Sequence, residues 1–543
     1  MKNYKILALS FLIGSASTAQ SLEDAIKKTE NERYDIATSI FKTLINNESS
    51  NGNNYYYFGE SLAKNDKLDS AKIIWNKGLL VAPENPMNYV GLGKFLWFTG
   101  DTTNANINLD KAFDLTKKKH HPQKAEVLRQ VANIYIETEK LKKVDLAIKL
   151  IDQALEIEPT NAENYIVKGD ALQVKSPENG GPAINNYNLA IGYDAKSPKA
   201  ILRTAKLYQR AKNYKLANQK YKEAQLIDPN FAPAYRENAE LNMMFNQSEY
   251  AIENWQKYIN LNNTTEARYR YSTALFQALK FNEAINELEK LQKEGFNNFY
   301  IDRMLAYSYC QYEDLDPKIA SEKGLIYMEK FFKSVPKENI YASDYRFKGL
   351  LYLKSGNDSL AIIELEKAVL ADDENKGEFL GDIADIYINK KDYSKAIKTF
   401  NRKSQGDPSL LSVKELYNIA KAYYFGEKNY KYADSCFANL AERSPSYAPA
   451  YLWRGRSSFN MDTNNELWLA KEHYNMFLEV LGEEEVMSPS NKSSVIEASK
   501  YLGDYYVNST EKNIDEAIKY WGIVLKLEPT DKQAMMFFEK QKK

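Results

Sequence analysis

Histidine and cysteine are the most versatile side chains for acid–base, nucleophilic and metal chemistry near neutral pH. This chain holds three of the first and two of the second. His120 and His121 stand side by side in a polar stretch behind Lys117, Lys118 and Lys119, and His473 is hundreds of residues further on. No cysteine or carboxylate accompanies them at ligand spacing, so two solvated loop histidines and one exposed helical one are expected rather than a metal site. Cys310 and Cys436 fall at helical positions and read as small buried residues, and two cysteines exclude a disulfide framework. Gly91-Leu92-Gly93 is the nearest approach to a dinucleotide fingerprint, but it lies inside a helical pattern instead of following a strand, so Gly93 reads as a packing residue. No phosphate-binding loop, HExxH or GxSxG string occurs, and Asp372-Asp373-Glu374-Asn375 lacks the alternation of a calcium loop. Glu483-Glu484-Glu485 reads as a solvated turn. Neither an enzyme, nor a cofactor, nor a metal is therefore expected.

What remains is surface, and the elements that carry it. Lys plus Arg and Asp plus Glu both total 73, so no net field draws in a nucleic acid or an anionic membrane. Forty tyrosines against 23 glycines and 16 prolines favour helix packing and partner surfaces, because the tyrosine ring is apolar while its tip is polar. A length of 543 residues exceeds what one hydrophobic core supports, unless each unit buries its apolar face only against its neighbours.

A repeat of that kind is present. Small residues recur at Ala37, Ala71, Ala105, Ala147, Ala183, Ala217, Ala251, Ala284, Gly324, Ala361, Ala396, Ala433, Ala470 and Ala517, most of them 33 to 37 residues apart. Four residues after each comes a large apolar one, among them Phe41, Trp75, Tyr187, Trp255, Phe400 and Trp521. An i, i+4 pair shares one helix face. Twelve residues after the small position, proline stops the helix in seven units, at Pro83, Pro159, Pro229, Pro336, Pro408, Pro445 and Pro529. A second small residue, such as Gly59, Gly93, Gly169, Gly349, Gly455 or Gly503, sits on an earlier helix and lets two backbones approach where the helices cross. Insertions at 117–124, 176–182, 312–317 and 482–492 read as longer turns.

The order of these residues resembles the tetratricopeptide repeat, whose W-x-x-L-G-x-x-Y, A-x-x-x-F and P signals span 34 residues. Residues 52–85 show it well, with Tyr55, Phe58, Gly59, Leu62, Ala71, Trp75, Gly78 and Pro83. The resemblance covers about fourteen units over residues 21–531. It implies an all-α fold, an α-α superhelix of helical hairpins with a capping helix at residues 532–543. It also implies that first helices line the concave side. Carried onto this chain, the family's groove positions are Arg203, Lys206, Arg236, Glu240, Tyr269, Arg270, Arg303, Tyr307 and Arg346. Two readings of that stripe stay open. It could hold a partner's carboxylates while tyrosines supply area, or it could be a solvated face with i, i+4 pairs such as Arg236 with Glu240. The Lys-and-Asn clamp some family members use for a C-terminal carboxylate is not recognisable.

Residues 1–19 read as a signal peptide: Lys2 and Lys5 precede an apolar run over 6–13, and Ser17 and Ala19 suit cleavage before Gln20. No cysteine near that cut could carry a lipid, and no later stretch is apolar enough to span a bilayer. The expected layout is a leader at 1–19, an N-terminal half of the array at 20–265, a C-terminal half at 266–531 and the cap. The expected role is a non-enzymatic protein–protein scaffold in the periplasm, without nucleic-acid or membrane partners. Similar proteins of flavobacteria-like envelopes suggest an assembly, secretion or energy-transduction complex. A glycan- or solute-binding module is the alternative function, and full secretion the alternative location.

Overall fold

A computed structural model of the chain describes residues 21–138 and 141–541; the expected leader lies outside them. The described residues form 29 α-helices and no strand. Twenty-eight of these pair into fourteen consecutive antiparallel hairpins, from Leu22–Glu30 with Tyr34–Asn47 to Lys492–Asn508 with Ile514–Leu527. Lys532–Gln541 follows as the expected cap, burying Ala534 and Phe537 against Trp521 and Val524.

Local chemistry sets the ends of these helices. Asn51, Asn85, Asn161 and Ser197 cap first helices by accepting backbone N–H bonds, and Asp101, Asn213, Asn357 and Asp392 do so for second helices. Proline sits two positions past the ends of Leu68–Val81, Val144–Ile157, Tyr214–Ile227, Tyr430–Arg443 and Ile514–Leu527, as expected of a residue that cannot continue a helix. The turn inside many hairpins needs one left-handed residue. Gly100 and Gly356 supply it without cost, while Glu32, Asp66, Lys212, Asn246, Leu279 and Lys391 take it up despite a Cβ.

The small-against-large pattern is the core. Every small residue of the series from Ala37 to Ala517 is buried, and so is each large residue four positions later. Trp75 shows why the first helix needs glycine. Its indole lies between Gly59 of its own hairpin and Gly91 of the next, where an added Cβ would stand 2.1 Å and 2.5 Å from the ring, respectively. Its Nε1 donates to the Tyr56 carbonyl at 3.0 Å. Gly93 faces Leu109, Gly169 faces Tyr187, Gly349 faces Leu365, Gly455 faces Tyr474 and Gly503 faces Trp521 in the same manner. Each such side chain contributes about 2 kcal/mol by burial alone.

Buried asparagines tie one hairpin to the next. Asn54, Asn88 and Asn164 donate to the carbonyls of Leu44, Gly52 and Ala154. Of the expected long turns, three are loops between helices. The fourth differs: Gly482, at φ 79, kinks the helix Lys471–Val486, which continues for a further turn instead of ending there.

The chain divides into two compact units, one up to Phe296 and one from Asn297. The boundary falls one hairpin later than an even division of the repeats. The first unit holds eight hairpins and the second holds six and the cap.

Candidate binding surface

In each unit first helices of successive hairpins touch at several junctions, whereas successive second helices make no comparable contact. First helices therefore lie closer to one another than second helices do, and form one shared surface. In the first unit the hairpins come round far enough for the first to reach the sixth and seventh. Glu32 lies in the turn of the first hairpin; it accepts from Arg236 Nη2 at 2.9 Å and from the Tyr258 hydroxyl at 2.8 Å. Asn31 donates to Asp228 at 3.3 Å, and Lys199 stands 3.6 Å from Glu30.

The space so enclosed is a polar chamber of about 280 Å³ whose walls include Tyr57, Glu60, Lys64, Glu126, Lys199 and Arg203. Its charges are paired across hairpins. Lys94 lies between Glu60 at 3.1 Å and Glu137 at 3.3 Å, Lys199 bonds Glu163, and the Tyr57 hydroxyl bonds Glu126. Desolvation opposes the charge on Lys94 and on Lys199, yet the flanking glutamates hold both ammonium groups above their ordinary pKa. Lys64 is different. Enclosure, with Lys199 nearby, lowers its pKa, and its side chain, which lines the chamber, makes no ion pair among the described residues.

The positions carried over from the family fall on first helices, but most of their charges are already matched by the neighbouring repeat. Arg203 Nε donates to Asp170 at 3.0 Å across 33 residues, and Lys206 to Glu237 at 2.9 Å across 31. Arg346 bonds Asp382 at 2.8 Å and Glu378 at 2.6 Å. The i, i+4 pair of Arg236 with Glu240 is not formed; Arg236 turns to Glu32 and, at 3.3 Å, to Glu237. Arg270 does make an i, i+4 pair, with Glu266 at 2.8 Å, and is exposed beside half-buried Tyr269. Burial, opposed by Arg270, raises the Glu240 carboxyl above the usual range.

Arg303 and Tyr307 depart most from the expectation of an open groove. Both are buried. Arg303 clasps Asp344 with Nε at 2.8 Å and Nη2 at 3.1 Å, donates to the Asn339 carbonyl, and lies over the rings of Phe331 and Tyr341. Tyr307 donates to the same Asp344 at 2.8 Å and stacks on Phe347. These two residues bolt the ninth hairpin to the tenth because Asp344, fully buried, needs both donors.

The acidic half of every rung was missed from the sequence, as were Lys199 with Glu163, Lys414 with Asp385, and Arg456 with Glu497. The signal was present. Apart from Glu32, 204 residues before Arg236, the partners in the neighbouring repeat lie 29 to 41 residues apart, about one repeat, so testing opposite charges at the repeat spacing would have found them. His120 and His121 lie in the turn before the fourth hairpin, where His121 Nδ1 accepts from Gln123. Cys310 is buried and its thiol is pushed up to about 12 by desolvation.

These features define an all-α repeat protein of serial helical hairpins, each locked by a small residue against a large one, an architecture like that of the tetratricopeptide repeat. Residues 377–402 match the tetratricopeptide repeat family. A 105-residue stretch is 31% identical to the human Superkiller complex protein 3; it covers 19% of this chain and 6% of that protein, so the chain spans only a small part of that relative's length. Among solved structures, the C-terminal part of a TPR repeat-containing protein from Cytophaga hutchinsonii is 29% identical, with a TM-score of 0.43 over 50% of this chain and 98% of that one. A tetratricopeptide repeat protein from Parabacteroides merdae is 18% identical, with a TM-score of 0.32 over 47% and 97%.

Proposed function

We propose that this protein is a non-enzymatic scaffold of the periplasm that binds an extended or helical segment of another protein on its concave first-helix surface. The observation that carries this reading is the state of that surface. Lys206, Arg270 and Arg346 are half-buried or exposed, and each is held by a partly exposed carboxylate rather than sealed in the core. Exposed pairs of this kind stabilise by about 1 kcal/mol or less. A partner carboxylate can replace the internal one at little cost, and the neighbouring tyrosines supply contact area.

A glycan- or solute-binding role predicts indole and phenol rings stacked open in the groove. Trp75, Trp97 and Trp255 are buried inside the hairpins instead, so protein recognition is favoured. Export follows from the leader read at residues 1–19, and participation in envelope assembly, secretion or energy transduction is the corresponding setting. The test is in-cell crosslinking followed by purification, comparing the wild type with Lys206→Glu, Arg270→Glu and Arg346→Glu. Loss of specific co-purifying proteins with an unchanged circular-dichroism spectrum supports the reading; identical partners in all four samples overturn it. N-terminal sequencing of protein from the periplasmic fraction is expected to begin at Gln20.

A further inference from the structure

Within the first unit, the contact between the first hairpin and the sixth and seventh is unlike every contact between consecutive hairpins. Consecutive hairpins share buried apolar side chains: the first is joined to the second through Phe41, Leu44 and Phe58. Against the sixth and seventh hairpins it offers polar contacts. Glu32 meets Arg236 and Tyr258, Glu30 meets Lys199, and Lys27 and Asn31 meet Asp228. No helix of the first hairpin packs there as neighbours pack. Apolar burial holds one side of the hairpin, and partly solvated ion pairs, individually weak, hold the other.

The mouth beneath this seam is a cavity of about 250 Å³. Its walls carry five cations, Lys64, Lys199, Arg203, Lys206 and Arg236, against three carboxylates, Glu30, Glu32 and Glu237. Two of those three carboxylates belong to the first hairpin itself. Withdrawing the hairpin leaves five cations facing one acid on the lining, with Asp170 and Glu163 still paired behind them. The closed state does not saturate these donors: Arg236 Nε is buried without an acceptor among the described residues.

We propose that the first hairpin is a gate whose Glu30 and Glu32 occupy, in cis, a carboxylate receptor formed by Lys199, Arg236 and Tyr258, and that an acidic segment of a partner protein displaces it. The inference deepens the scaffold reading and rests on it for the identity of the ligand class. Two geometrical facts support it: the receptor is seen holding carboxylates from a tight turn, and hydrogen bonds and ion pairs rather than packed helices join the first hairpin to the sixth and seventh.

The test uses the full mature chain and a fluorescein-labelled deca-glutamate peptide as probe. The Glu30→Gln, Glu32→Gln double variant is expected to bind the peptide about tenfold more tightly than wild type, because the competent state is no longer masked. Adding Arg236→Gln should abolish that gain. In wild-type protein, saturating peptide should speed amide hydrogen exchange in Leu22–Glu30 and Tyr34–Asn47 while slowing it in Pro198–Arg210 and Ala232–Met244. Equal affinities for the wild type and the double variant, or first-hairpin exchange untouched by peptide, would overturn the gate and leave the seam structural. Such a failure stands apart from that of the scaffold reading, which is decided by partner capture through Arg270 and Arg346, outside the seam.

Discussion

At the scale of single residues, two kinds of position carry the most information. The first is the glycine that faces an aromatic ring. Gly59→Ala or Gly91→Ala places a methyl group against the Trp75 indole, which is fixed by its bond to Tyr56 and cannot retreat. Overpacking of this type costs about 1–3 kcal/mol, and urea unfolding of the first unit should register it. The second kind separates a structural arginine from a surface one. Arg303→Ala strands the buried carboxylate of Asp344 and is expected to cost about 3–5 kcal/mol. Arg270→Ala loses only an exposed i, i+4 pair and should cost about 0.5 kcal/mol or less. A comparison of Tm values checks both; similar losses for the two would contradict the burial assignment. Because Arg303 holds the fold, a charge reversal there reports on stability before it reports on binding.

At the scale of elements, helix termini couple stability to pH. Glu415 closes a capping box with Ser412 and accepts from Lys403 at 2.7 Å. Desolvation pushes its carboxyl up, but Lys403 and Ser412 prevail and hold it below the usual range. The folded chain therefore binds this proton less readily than the unfolded chain, whose value is about 4.3. The stabilisation is present above that value and is lost as pH falls through the depressed native one. Glu415→Gln should lower Tm at pH 7, with the gap from wild type closing on approach to pH 3; a gap independent of pH would show that the charge contributes nothing. The cap is the other sensitive element. Deleting residues 532–541 uncovers Trp521 and Val524, and the last hairpin should then fray, seen as faster amide exchange in Ile514–Leu527.

At the scale of the whole molecule, the repeat was legible because its physics is local. The lock of Ala71 and Trp75 against Gly59 involves residues at most sixteen positions apart, so spacing alone exposes it, and fourteen units average out exceptions such as Gly324, which packs on Leu351. The inner surface was legible only in part. Lys206 and Arg346 could be placed on first helices, but their fate depends on Glu237 and Asp382 a full repeat away, and that of Arg236 on Glu32, 204 residues earlier. No local pattern encodes how many hairpins bring the first turn round to the seventh. Left-handed turn residues such as Lys212 and Lys391 were likewise invisible, since tertiary packing imposes a conformation their type disfavours.

The central claim is that the inner, first-helix surface recognises a protein. Photo-crosslinking amino acids placed singly at Lys206, Arg270 and Arg346 on that surface, and at Leu80, Leu226 and Leu370 on the exposed outer one, test it directly in the native cell. The account predicts discrete adducts of defined mass from the inner positions and none from the outer ones. Adducts confined to the outer positions would contradict it.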